Sequence, residues 1–264
     1  MNELNINPEQ EKKKIINFLN QTFKEQGINH VVIGLSGGID SLTSFFLLKE
    51  VLPPANIHVA HLYYFNSVFA GVDEIVRGSK IPEENVHHLS IKEPVDSILS
   101  LQKIENNEEN KVRIGNIAAR VRMILLFDLA KKVNGLVCGT ENKSENLLGY
   151  FTRFGDQASD IEPIEHLYKT QVLELAKYLG VPEKFINQQP TAGLWQGQTD
   201  EGQFGFTYKE ADRVFFLHLE QKLTVEEIEK QGFTNARKIL KWRENNLFKH
   251  NVPYVLSQTK KFNS

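Results

Sequence analysis

Apolar positions along the chain alternate between two periods. From Pro8 to about Gln26, Ile15, Ile16, Leu19 and Phe23 recur among Lys and Glu at helical spacing, and Gly27 closes the run. Val31-Val32-Ile33 is then a continuous β-branched run, as expected of a buried strand. A second helical pattern, Leu42, Phe45, Phe46, Leu48 and Val51, stops at Pro53-Pro54. A strand over Ile57 to Leu62, a helical segment near Val68 to Ser79 and a short strand over Asn85 to Leu89 repeat the unit. The polar stretch Ile104 to Lys111 reads as a surface turn, and Gly115 opens a long helix to about Val133. Leu136-Val137-Cys138 is another strand, Lys169 to Tyr178 a helix, Tyr208 to Asn246 helical by period, and Pro253 sits in a closing tail. Such β-α-β units predict an α/β fold: a doubly wound, mainly parallel, Rossmann-like sheet with helices on both faces. Ligand then belongs at the carboxyl ends of the strands, near the point where strand order reverses.

The turn after the first strand, Gly34-Leu35-Ser36-Gly37-Gly38-Ile39-Asp40-Ser41, aims backbone N–H groups of the turn and of the next helix at one small volume, which suits an anion. A carboxylate in the same place, Asp40, would repel phosphate unless a divalent cation lay between them. The loop is neither a Walker A motif nor Gly-x-Gly-x-x-Gly. A capping role for Ser36 explains neither both glycines nor the acid. A second loop, Gly139-Thr140-Glu141-Asn142-Lys143-Ser144-Glu145, follows the Cys138 strand and is expected to face the first. Two further stretches, 149–164 and 190–201, carry little periodicity and many glycine and polar residues, which marks functional loops. Asn116 and Arg120 share one face of the long helix, whereas Arg120 and Arg122 point to different faces.

Composition narrows the class. The chain has 264 residues, 41% hydrophobic and 24% charged, with a formal net charge of −2 from 31 basic and 33 acidic residues. Those values describe an ordinary globular protein with no field that would draw it to nucleic acid. No apolar run approaches a membrane span and the polar start is no secretory signal, so a cytoplasmic protein is expected. Its single cysteine, Cys138, reads as a small core residue, and His58, His61, His87 and His88 lack partners at metal spacing.

The first loop resembles the pyrophosphate loop of ATP pyrophosphatases (the adenine nucleotide alpha hydrolase-like superfamily), which cleave ATP between its α and β phosphates. The whole set resembles NAD synthetase, a family that amidates nicotinic acid adenine dinucleotide. Its blocks appear in the family's order: Ser-Gly-Gly-Ile-Asp-Ser, Gly-Asn-Ile-Ala-Ala-Arg-Val-Arg-Met, Gly-Thr-Glu-Asn-Lys-Ser-Glu, Gly-Tyr-Phe-Thr-Arg-Phe-Gly-Asp, and Pro-Thr-Ala-Gly-Leu-Trp with Gln-Thr-Asp-Glu. The resemblance covers Gly34 to about Tyr208 and implies a single NAD synthetase domain over 1–264, with no glutaminase domain.

By that resemblance Gly34, Leu35, Ser36, Gly37, Gly38, Ile39, Asp40 and Ser41 hold the ATP pyrophosphate, Thr140, Lys169 and Thr191 contact ATP, and Asp40 with Glu145 binds Mg2+. Two carboxylates plus phosphate oxygens make a typical hard-cation site. Asn116, Arg120, Arg153, Asp160 and Lys249 would hold the deamidated dinucleotide, and Phe151 and Phe154 would stack on the nicotinate ring. Lys169 would stabilise the separating phosphates, with Asp160 the candidate base for ammonium. Three departures stand out. Arg153 replaces the family's usual lysine, Phe248 stands where a histidine usually precedes lysine, and His61-Leu62-Tyr63-Tyr64-Phe65-Asn66 differs from the usual start after the second strand.

The implied reaction is a ligation: ATP adenylates the nicotinate carboxylate, then ammonia displaces AMP and leaves NAD. Free ammonia is expected as nitrogen source, with a separate glutaminase as another supplier, and a homodimer as the assembly. Two rivals are another ATP-pyrophosphatase amidotransferase or tRNA-modifying enzyme, and a non-catalytic adenine-nucleotide sensor.

Overall fold

Val31, Val32 and Ile33 are fully buried in the centre of a sheet of four parallel strands. We describe the protein from a computed structural model, covering residues 4–65, 71–195 and 197–256. In chain order its elements begin with α1 (Pro8–Gln26), β1 (His30–Gly34), α2 (Ile39–Leu48), β2 (Ile57–Tyr63), α3 (Val72–Gly78), β3 (Val86–Ser90), α4 (Lys92–Leu101), α5 (Lys111–Val133) and β4 (Gly135–Cys138). They continue with α6 (Lys143–Leu148), α7 (Lys169–Tyr178), α8 (Glu183–Ile186), α9 (Asp200–Phe204), α10 (Tyr208–Phe215), α11 (Val225–Lys230) and α12 (Ala236–Asn246).

The strands run in the order β3-β2-β1-β4, with Val31 opposite both Ile57 and Leu136. A single parallel bridge from Cys138 to Ile161 extends the order past β4. Strand order therefore reverses between β1 and β4, which opens a crevice at their carboxyl ends. One face of the sheet packs on α1, α2, α3 and α7 through Leu19, Phe45, Val59 and Leu175. On the other face Ala60 and Leu62 meet α4 and α5 through Val95, Ala118 and Val121, while Val32 and Val137 meet Ala130. This is the doubly wound α/β architecture expected from the repeated units. A separate apolar cluster, with Phe204, Tyr208, Phe215, Ile228 and Ile239, gathers the C-terminal helices.

Local signals explain the element ends. Asn7 caps α1 by accepting the Gln10 N–H at 3.1 Å, and Gly27 ends it in the left-handed region. The segment expected near Val68 to Ser79 is helical from Val72 to Gly78, and positions 68–70 lie outside the described residues. Lys111 already belongs to α5, so the surface turn ends one residue earlier than expected. The helical period from Tyr208 to Asn246 is not one helix. A π turn over Phe216–Glu220 and a left-handed Lys222 interrupt it, and Thr224 with Glu227 forms a capping box that starts α11.

Candidate active site

The loops after β1 and β4 face each other across that crevice and line a cavity of about 1010 Å³. Gly37 holds φ +87°, a conformation that side chains rarely adopt, so the first loop needs glycine there. Gly38 is the N-cap residue of α2 and supplies no side-chain cap. Ser36 Oγ accepts the Gly38 N–H at 3.2 Å, and Ser41 Oγ donates to the Gly38 carbonyl at 2.9 Å. Both hydroxyls thus shape the turn and leave the start of α2 without a side-chain cap, open to an anion in the cavity.

Asp40, in the first turn of α2, points at the second loop. Its Oδ1 accepts from Asn142 Nδ2 at 2.9 Å, and its Oδ2 accepts from Lys169 Nζ. Glu145 Oε1 accepts from the same Nζ at 3.2 Å. Asn142 caps α6 by accepting the Glu145 N–H at 3.0 Å, while Glu145 Oε2 accepts the Asn142 N–H at 3.4 Å. One asparagine therefore orients both carboxylates. The trio is largely buried, with side-chain exposures of 4% for Lys169, 14% for Asp40 and 17% for Glu145. Burial alone would lower the Lys169 pKa, but Asp40 and Glu145 reverse this and hold it above the ordinary lysine value. Burial pushes Glu145 up, with Asp40 adding to the rise and Lys169 opposing it. Two carboxylate oxygens converge on one positive charge and share one lysine between them, so their donor set fits a hard cation whose other ligands are phosphate and water.

Other expected residues fall into two groups. Thr140, Thr191, Asn116, Phe151 and Lys249 line the cavity with Gly34 to Ser41, Glu145 and Lys169. Asn116 Oδ1 accepts from Thr152 Oγ1 at 2.9 Å, and Lys249 Nζ donates to the carbonyls of Gly149 at 2.6 Å and Phe151 at 3.2 Å. Arg120, Arg153, Phe154 and Asp160 are not among the lining residues. Arg120 Nε donates to the Arg153 carbonyl at 3.3 Å, and the Arg153 guanidinium stacks on Phe248 at 5.1 Å. Phe248 thus gives Arg153 an aromatic platform. Phe154 is 55% exposed, and Asp160 Oδ2 accepts the Val137 N–H at 2.8 Å.

Several lining residues were not singled out from the sequence. Arg122, rather than Arg120, faces the cavity, and its Nε donates to the Leu62 carbonyl at 3.0 Å. Helical spacing separates the two arginines but does not say which face is inward. Asp156 lines the wall and accepts the Thr152 N–H at 3.0 Å. Asp200 is 3% exposed and accepts from the Tyr150 and Tyr208 hydroxyls, each at 3.1 Å, and from the Ala192 N–H at 2.9 Å. It pins the 190–200 loop over the cavity, where Leu194 packs so close to Gly115 that a Cβ there would lie 2.9 Å from it. The only sequence signal for Asp200 was its place in the Gln-Thr-Asp-Glu block.

Comparison with known proteins bears on this site. The sequence model of the NAD synthase family matches residues 11–253. The NH(3)-dependent NAD(+) synthetase of Fusobacterium nucleatum is 37% identical over 260 residues, covering 97% of this chain and 98% of that protein. Among solved structures, an NMN synthetase from Francisella tularensis superposes with a TM-score of 0.80 at 32% identity, covering 96% of this chain and all of that one. An NH3-dependent NAD synthetase from Campylobacter jejuni superposes with a TM-score of 0.77 at 29% identity, covering 95% and 100%.

Proposed function

The chain belongs to the NAD synthase family, and from that premise we propose that it forms NAD from deamido-NAD, ATP and ammonia, releasing AMP and pyrophosphate. The observation that carries this reading is the uncapped start of α2, with Asp40, Glu145 and Lys169 converging beside it at the strand-order reversal. Asp40 and Glu145 would hold a magnesium ion, which when bound neutralises phosphate charge.

Within the Gly34 to Ser41 loop, the N–H groups at the uncapped start of α2 would cradle the pyrophosphate, with Thr140 and Thr191 contacting ATP. In the first step a nicotinate carboxylate oxygen attacks the α phosphorus as the bond to pyrophosphate breaks. Lys169 places a compact positive charge where the leaving charge develops. A carboxylate is already nucleophilic, so alignment and charge neutralisation do the work. In the second step ammonia adds to the acyl carbon, the bond to AMP breaks and a proton leaves. Each of Asp160 and Asp156 has one oxygen held by a backbone N–H, but Asp156 lines the cavity wall and Asp160 does not, so Asp156 is the better placed acceptor.

Asn116, Phe151 and Lys249 on the wall would orient the nicotinate end, and Arg120 and Arg153 beside it would meet the acceptor's phosphates. We read residues 1–264 as a single domain that takes free ammonia, acts as a homodimer and works in the cytoplasm. No helix among the described residues is long and apolar enough to cross a membrane.

A second reading, amidation of the mononucleotide, is favoured by the Francisella neighbour and by the position of Arg120 and Arg153 outside the cavity wall. One assay decides. Incubated with ATP, magnesium and ammonium, the protein should yield NAD and AMP in equal amounts from deamido-NAD. A preference for nicotinic acid mononucleotide would replace the main reading, and no AMP from either acceptor would reject both. Glutamine in place of ammonium should give no product.

A further inference from the structure

Asp212 is fully buried in α10, yet the hydrogen bonds to its carboxylate come from α6 and α7. Its Oδ1 accepts from Ser144 Oγ, and its Oδ2 accepts from the Thr170 N–H at 2.9 Å and Thr170 Oγ1 at 2.8 Å. Ser144 Oγ in turn accepts the Lys169 N–H at 2.8 Å. The first two amides of α7, which no intrahelical carbonyl can satisfy, are thus held by Asp212 directly or through one hydroxyl. Tyr208 lies one turn earlier on the same face of α10, and Lys169 Nζ sits 5.2 Å from its ring. One helix therefore grips Lys169 at both ends, at the backbone through Asp212 and at the ammonium through Tyr208.

We propose that Asp212 is a positioning residue for Lys169, acting through Ser144 and the first turn of α7 so that α10 fixes where the ammonium stands between Asp40 and Glu145. The proposal rests on the reading that Lys169 acts on ATP. A buried carboxylate with three donors around it is a rigid anchor, because each lone pair it offers is already directed. Apolar packing alone would hold α7 on α10 without defining the rotation of its first turn, whereas the Asp212 bonds define it. An error of about 1 Å at Nζ would cost roughly 10²-fold in rate.

The test is a double-mutant cycle in the full chain on Asp212→Asn and Lys169→Met, with kcat, the KM values for ATP and ammonium, and the melting temperature measured for each. Ser144→Ala, which breaks the relay and removes one hydroxyl only, carries the same cycle should Asp212→Asn fail to fold. Expected are a fall in kcat of roughly 10- to 100-fold for Asp212→Asn with KM for ammonium unchanged, and a further loss of less than about twofold when it is added to Lys169→Met. A purely structural role would instead lower the yield of folded enzyme and multiply with the lysine change. Multiplicative losses, or a single variant with kcat within about twofold of the parent, would overturn the proposal. A Lys169→Met enzyme with undiminished kcat would overturn the reading of Lys169 itself, and the positioning proposal with it.

Discussion

Asp40 and Glu145 reach one ammonium from the first turns of two helices, α2 and α6, so removing either charge changes what the site can bind before it changes the fold. Asp40→Asn keeps the side chain's shape and its contact with Asn142, and we expect turnover to fall by at least about 10²-fold with the melting temperature little altered. Near-normal turnover would remove Asp40 from the cation pair. Glu141 makes a different prediction. It is 8% exposed, its Oε1 has no hydrogen-bond partner among the described residues, and burial together with Glu145 and Glu162 pushes its carboxyl up to about 9. In the unfolded chain it ionises near its ordinary 4.5. Between those values the unfolded state has released a proton that the folded state retains, so stability falls as pH rises through the window and levels off above about 9. Glu141→Gln removes that titration. Thermal melts should show the variant gaining on the parent between pH 5 and pH 8; a stability difference independent of pH would contradict the assignment. At this scale Lys169 was named only through the family resemblance, and Asp40 and Glu145 were legible because an acid beside a phosphate-binding turn calls for a cation and a second acid to share it. Asn142, Asp200 and Arg122 were not, because what they do depends on partners far along the chain, such as Tyr150 for Asp200 and Leu62 for Arg122.

Elements were legible where their ends are set locally. Pro8 to Gln26 and Lys169 to Tyr178 were read with the observed limits, since a cap or a following glycine lies within a turn of each end. α4 buries only Val95 and Leu99, too few apolar positions to mark a period, and the apolar period of Tyr208 to Asn246 runs on through the capping box that divides it. The 190–200 loop shows the opposite limit. Its polar, glycine-rich sequence marks it as functional, but its path is fixed by tertiary bonds that converge on Asp200. Tyr150, whose hydroxyl donates to Asp200 and accepts from Gln198 Nε2 at 3.0 Å, is the link to the Gly149 loop. Tyr150→Phe leaves Asp200 with Tyr208 and the Ala192 N–H, and removes the hydroxyl's bonds to Asp200 and from Gln198, each worth about 1 kcal/mol. Limited proteolysis should then cut faster between residues 190 and 199, and KM for ATP should rise more than kcat falls. Unchanged cleavage would mean that Tyr150 does not hold the loop.

Across the whole molecule the C-terminal helices have an apolar core of their own, yet they are not independent of the sheet. Asp212 is bonded to α6 and α7, Lys143 pairs with Glu220 at 2.7 Å, and Trp242, Asn246 and Lys249 line the same cavity as the loops after β1 and β4. A ligand in that cavity touches both parts, so its binding energy should appear in a single unfolding transition. At 100 times its Kd, magnesium-ATP adds about 2.7 kcal/mol. For a chain of this size each kcal/mol moves the melting temperature by about 2–4 °C, so a rise of roughly 5–10 °C is expected in calorimetry. The rise should vanish in Asp40→Asn, whose site lacks half of the cation pair, while the transition itself stays single. Two transitions, only one of which responds to magnesium-ATP, would instead show that the C-terminal helices melt apart from the sheet, and that the Asp212 bonds do not couple them.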